Sequence, residues 1–119
     1  MKTILVVEDE FLIAKAYESY IKKHISVNII IVQTAADALK TFKEHIPNLI
    51  LLDINLKNNE SGLDLAYGIR KEFNMPIIFT TGNSNIEIDQ KLKKISNSTT
   101  LLKPVNFEQL IELIKTKLQ

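Results

Sequence analysis

The chain has 119 residues, 45% of them hydrophobic and 24% charged, with a formal charge of +1 and no cysteine. That fits one domain over residues 1–119 and excludes a disulfide framework, a thiolate nucleophile and a cysteine zinc site. No apolar run is long enough to span a bilayer, "MKTILVVEDE" turns acidic too soon for a signal peptide, and the near-neutral balance gives no basic field for nucleic acid. The expected compartment is therefore the cytoplasm, and the lysine clusters at Lys22–Lys23 and Lys91–Lys94 read as solvated helix faces.

Taken in chain order, "TILVVED" (3–9) is a short apolar run ending in acid, predicted as a strand. Residues 10–24 place Leu12, Ile13, Ala16, Tyr17, Tyr20 and Ile21 at helical spacing. "VNIIIVQT" (27–34) is β-branched and predicted as a second strand, and 35–45 as a helix stopped by Pro47. "NLILLD" (48–53) follows as a third strand. Residues 61–73 form a helix with Ser61 as its N-cap, and 75–81 a strand entered through Pro76. Residues 85–96 make a helix, 99–102 a short strand, and 106–118 a final helix capped by Asn106. Five strand–helix alternations without a hairpin signal predict parallel strands joined by right-handed crossovers. The fold class is α/β, a three-layer doubly wound sandwich.

In such a sheet every strand's carboxyl end lies on one edge, where ligands bind. The first strand ends in Glu8 and Asp9, the third in Asp53, the fourth in Thr80 and Thr81, and the fifth runs into Lys103. Asp53 and Lys103 each directly follow a fully apolar run, which simple solvation of a rim does not explain. Two carboxylates about 5 Å apart repel by roughly 3 kcal/mol at an effective dielectric of about 20. A trio of acids therefore keeps a proton or recruits a cation, and all-oxygen ligation suits Mg2+. Carboxylates beside Mg2+, a lysine and a hydroxyl make an arrangement for phosphoryl transfer, with Asp53 the central candidate nucleophile.

The pieces "LVVEDE", "NLILLDINL", "PIIFTTG" and "LLKPV", in this order and at these distances, resemble the receiver domain of response regulators in two-component signalling. The resemblance covers nearly the whole chain and implies a flavodoxin-like sheet of order 2-1-3-4-5. It implies that Asp53 is the phosphoacceptor and that Glu8 and Asp9 hold Mg2+ together with Asp53 and the backbone carbonyl of Asn55. Thr81, directly before Gly82, matches the hydroxyl that closes on the phosphoryl group and is preferred to Thr80. Lys103, before Pro104, matches the lysine that pairs with a phosphoryl oxygen. Asn55 and Asn83 fall at positions that tune dephosphorylation.

The implied partners are a sensor histidine kinase or histidine phosphotransfer protein and a downstream protein or fused effector. The implied output face is the fourth helix, fifth strand and fifth helix, through which a homodimer is also open. Three departures stand out: Thr100 where an aromatic switch residue is usual, Lys57 where a proline is common with Gly62 one residue late, and Val105 where Phe is frequent. Thr100 favours the alternative of a receiver-like module that binds without being phosphorylated. An aspartate-based phosphatase would need a second acid where Asn55 stands, and a flavin module would need a hydroxyl-rich loop where "EDEF" stands. His24 and His45 lack metal-ligand spacing and read as surface residues. A stand-alone receiver and one taken from a larger regulator or hybrid kinase both fit.

Overall fold

The computed structural model describes residues 1–56, 61–83 and 85–119. Strands β1 (Thr3–Val7), β2 (Asn28–Val32), β3 (Leu49–Asp53), β4 (Ile77–Thr81) and β5 (Ser98–Leu102) alternate with helices α1 (Phe11–His24), α2 (Ala35–Glu44), α3 (Gly62–Arg70), α4 (Ile86–Lys93) and α5 (Phe107–Lys117). The strands form one parallel sheet in the order β2-β1-β3-β4-β5. Its order reverses between β1 and β3, the point where such sheets place their ligands.

The three central strands are buried along their whole length because helices cover both faces. Side chains alternate across a strand, so odd and even positions build separate cores. Ile4, Val6, Leu49, Leu51, Ile78 and Leu101 pack against Ala14, Tyr17 and Ile21 of α1 and Leu110, Ile111 and Ile114 of α5. Leu5, Val7, Ile50, Leu52, Ile77 and Phe79 pack on the other side against α2, α3 and α4.

The ends of the elements are set by local hydrogen bonding. Ser61 and Asn106 cap α3 and α5 as the sequence predicts, and Thr34 and Asn85 do the same for α2 and α4. Helix α3 stops at Arg70 instead of Phe73, because the amides of Glu72 and Phe73 both turn back to the Ile69 carbonyl while Arg70 Nη1 donates to the Phe73 carbonyl. Helix α4 stops at Lys93 instead of residue 96. The chain then turns through Asn97, whose φ of 53° is left-handed and whose side chain donates to the Asn74 carbonyl.

Candidate functional site

The same alternation that sorts the core also builds the site. Continuing Ile4 and Val6 brings Glu8 onto the α1/α5 face; continuing Leu49 and Leu51 brings Asp53; Ile78 leads to Thr80 and Leu101 to Lys103. Four polar side chains from four neighbouring strands therefore meet where the apolar layer ends. Glu8 is 1% exposed, Asp53 4% and Thr80 1%, so they belong to the buried layer and not to a solvated rim.

Lys103 ties the acids together. Its Nζ donates to Asp53 Oδ2 at 3.0 Å and to Glu8 Oε1 at 3.1 Å. The second oxygen of each carboxylate takes a backbone amide two residues on: Asn55 N–H donates to Asp53 Oδ1 at 3.0 Å, and Glu10 N–H to Glu8 Oε2 at 3.1 Å. Both acids are thus gripped in the same way, one oxygen by the ammonium and one by the following turn. Asp9 completes the group, its carboxylate lying within 4.8 Å of those of Glu8 and Asp53.

The charges respond to this crowding. Burial pushes the Glu8 carboxyl up to about 7; the nearby Asp53 charge adds to the push, while the Glu10 amide and Lys103 oppose it. Burial alone would lower the Lys103 ammonium. The hydrogen bonds and charges of Asp53 and Glu8 outweigh it and hold Lys103 above the usual lysine range. Three hard carboxylate oxygens with one acid poised near neutrality fit a small oxygen-seeking dication such as Mg2+, and offer nothing suited to a soft metal.

Thr81 lies on the opposite side of the strand from Asp53, and its hydroxyl is engaged by Asn83, donating to the carbonyl at 2.7 Å and accepting from the amide at 3.2 Å. It is the last residue of β4, and the hydrogen bonds of its hydroxyl go to the following loop and not to the acids. Gly62 explains itself: a Cβ there would lie 2.2 Å from the Asp53 carbonyl oxygen, so the chain after Asp53 returns against its own strand end only because this residue has no side chain. Residues missed by sequence reading are Tyr17, assigned only to the apolar stripe of α1, and Thr80, set aside in favour of Thr81. Both border the acid pocket on the α1/α5 face, Tyr17 from α1 and Thr80 from β4, and for Thr80 the available signal was its alternation with Ile78 along the strand.

A family model described as the response regulator receiver domain matches residues 4–115. The chain belongs to the response regulator receiver domain family. Among its relatives, the luminescence regulatory protein LuxO of Vibrio campbellii is 32% identical over 106 residues, which is 88% of this chain and 23% of that protein. The chain thus spans about a quarter of the length of the curated relatives it matches, as for the Vibrio cholerae regulatory protein LuxO at 31% identity and 23% coverage. The receiver also superposes on the receiver domain of a LuxO repressor protein from Vibrio parahaemolyticus with a TM-score of 0.89, 27% identity and coverage of 98% and 89% of the two chains. A CheY-like receiver from Methanospirillum hungatei gives a TM-score of 0.88 and 28% identity over 99% and 94%.

Within this receiver Thr100 is exposed on β5 and presents no ring to the site. Val105 is half-buried and packs with the α1/α5 core. The Lys57 departure lies outside the described residues. The two histidines are exposed, as read from sequence, yet both are held: His24 Nδ1–H donates to the Tyr20 carbonyl at 2.9 Å, and His45 Nε2 bonds Thr3 Oγ1 at 3.0 Å. Among the described residues no helix is long and apolar enough to cross a membrane.

Proposed function

We propose that this receiver accepts a phosphoryl group on Asp53 from a histidine kinase or histidine phosphotransfer protein. The observation that carries the reading is the shared grip of Lys103 on Asp53 and Glu8, with Asp9 beside them. An Asp53 oxygen attacks phosphorus in line, the phosphorus–nitrogen bond of the donor breaks, and its electron pair leaves with the imidazole. Glu8, Asp9, Asp53 and the Asn55 backbone carbonyl are the groups that would hold Mg2+, which when bound supplies positive charge to the phosphoryl oxygens. Lys103 exchanges its bond to the Asp53 carboxylate for one to a phosphoryl oxygen, so its positive charge stays with the growing negative charge. Thr81 leaves Asn83 and donates its hydroxyl to the same group.

Those two exchanges link occupancy of Asp53 to the loop after β4 and to the start of α5, shifting the balance between two conformations. The face of α4, β5 and α5 is the proposed surface for an effector or a second copy, and the cytoplasm the proposed compartment. The competing reading, a module that signals without phosphorylation, draws on the exposed Thr100 in place of an aromatic readout. Incubation with acetyl phosphate and Mg2+ followed by intact mass separates them. A single phosphoryl adduct absent from Asp53→Asn supports phosphoacceptance; no adduct under any condition leaves the binding module.

A further inference from the structure

Strand β2 is an outer strand of the sheet and pairs only with β1. In a parallel ladder, alternate residues turn both backbone groups toward the same neighbour. The Asn28 amide donates to the Lys2 carbonyl and the Val32 carbonyl accepts from the Glu8 amide, so Asn28, Ile30 and Val32 face β1. Ile29 and Ile31 therefore each point an N–H and a C=O away from the sheet, and among the described residues nothing pairs with them. The strand "NIIIV" carries neither the charge nor the proline that keeps open edges from pairing.

This edge lies along a groove of about 580 Å³ between the two helices that flank it. Ile31 and Val32 form the floor, Phe11 and Lys15 one wall from α1, and Asp37, Lys40 and Glu44 the other wall from α2. The walls differ in kind. On α1, Phe11 is 55% exposed with the Lys15 ammonium 5.8 Å from its ring centre, and Lys15 and Lys22 both pair with Glu18. On α2, Asp37, Lys40 and Glu44 make no ion pair among the described residues, which leaves an open row of minus, plus and minus. That row spans about 10 Å of helix, close to the roughly 13 Å that separates residues i and i+4 of a strand.

We propose that the groove receives an extended segment of a partner protein, which adds to β2 as a sixth strand. Its backbone pairs with Ile29 and Ile31. Its side chains alternate: those over Phe11 are apolar, and those facing α2 run basic, acidic, basic. A second copy of this chain is not the occupant. Its own β2 sits in the same recess between two helices, and two recessed edges cannot close to the about 4.8 Å of paired strands. A tail or loop in extended form is narrow enough. Binding there requires no phosphoryl group on Asp53.

The probe is a short capped peptide alternating valine with lysine, glutamate and lysine, titrated into the full chain and followed by amide hydrogen exchange. The Ile29 and Ile31 amides exchange fast in the free protein and slow about tenfold or more at saturation, whereas the Ile30 amide, already bonded to β1, changes little. A peptide with proline at the pairing positions binds about tenfold more weakly. Lys40→Glu weakens the parent peptide about fivefold, and exchanging the peptide's glutamate for lysine restores binding to that variant. Free exchange rates at Ile29 and Ile31 under millimolar peptide, or binding indifferent to both the proline and Lys40→Glu, overturn the proposal. Protection of the same two amides that grows with protein concentration in the absence of peptide assigns the edge to a second copy and overturns it as well.

Discussion

The Lys103 ammonium lies 3.0 Å from Asp53 Oδ2, across a sequence separation of 50, at the end of a strand that is otherwise apolar. The same ammonium reaches Glu8, so one cation offsets two carboxylates that are each nearly inaccessible to water. Removing it leaves a like-charged buried pair.

Lys103→Met is therefore destabilising in the metal-free protein at pH 8. The lysine keeps 23% of its side chain exposed, which moderates the loss to about 2–3 kcal/mol. Adding Glu8→Gln recovers most of it, because one acid no longer faces another. Urea unfolding of the three proteins checks this, and wild-type stability in Lys103→Met would contradict the bridging role.

Glu8 sets the pH dependence. Its folded value of about 7 lies above its ordinary 4.5, so the folded state holds a proton that the unfolded state has already released. The stability linked to this proton is complete below pH 4.5 and is lost as pH rises through 7. The fall is on the order of 3 kcal/mol. Glu8→Gln flattens that slope. Urea midpoints between pH 5 and 8 without metal measure it, and a wild-type profile that rises across the window would refute the assignment.

Gly62 and Gly68 lie in one helix and respond oppositely to alanine. At Gly62 the new Cβ meets the Asp53 carbonyl oxygen at 2.2 Å and Ile54 Cα at 2.8 Å, both backbone atoms that cannot swing aside. Gly62→Ala costs on the order of 3 kcal/mol and displaces the end of β3. At Gly68 nothing lies within 4 Å, so Gly68→Ala stabilises by about 0.5–1 kcal/mol through helix propensity and a less flexible unfolded chain. Thermal unfolding of both variants distinguishes them by sign.

These cases show how far the sequence reaches. The apolar runs ending in Glu8, Asp53 and Lys103 were legible because strand alternation and parallel topology bring strand ends to one edge whatever the details. Strand order was legible only through family resemblance, since alternation alone leaves the order open. The symmetric grip on Glu8 and Asp53 was not legible, because it depends on how the chain turns after each strand. Gly62 looked like a displaced loop glycine; its reason is a backbone contact with Asp53 that no local pattern encodes. Tyr17 was hidden by its own hydrophobicity: at helical spacing a buried tyrosine and a buried leucine give the same signal. The early ends of α3 and α4 go with hydrogen bonds by Arg70 to the nearby Phe73 carbonyl and by Asn97 to the distant Asn74 carbonyl, which helical periodicity does not register.

Mg2+ reverses the effect of pH. Binding needs Glu8 ionised, so added Mg2+ raises the unfolding temperature more at pH 8 than at pH 6. The gain is about 2–3 kcal/mol at a hundredfold excess over Kd. Asp9→Asn weakens it. Asn55→Ala leaves it unchanged, because only the backbone carbonyl of that residue is assigned to the metal. An equal Mg2+ effect at both pH values would remove Glu8 from the ligand set.

The central claim is that the carboxylate of Asp53, and no other group, carries the phosphoryl group. An acyl phosphate is reduced by borohydride to an alcohol, so trapping the acetyl phosphate-treated protein with borohydride and mapping its peptides reads the position directly. The account predicts homoserine at residue 53, dependent on Mg2+ and unaffected by substitution of the two histidines. Homoserine or phosphate at any other position, with Asp53 unmodified, would contradict it.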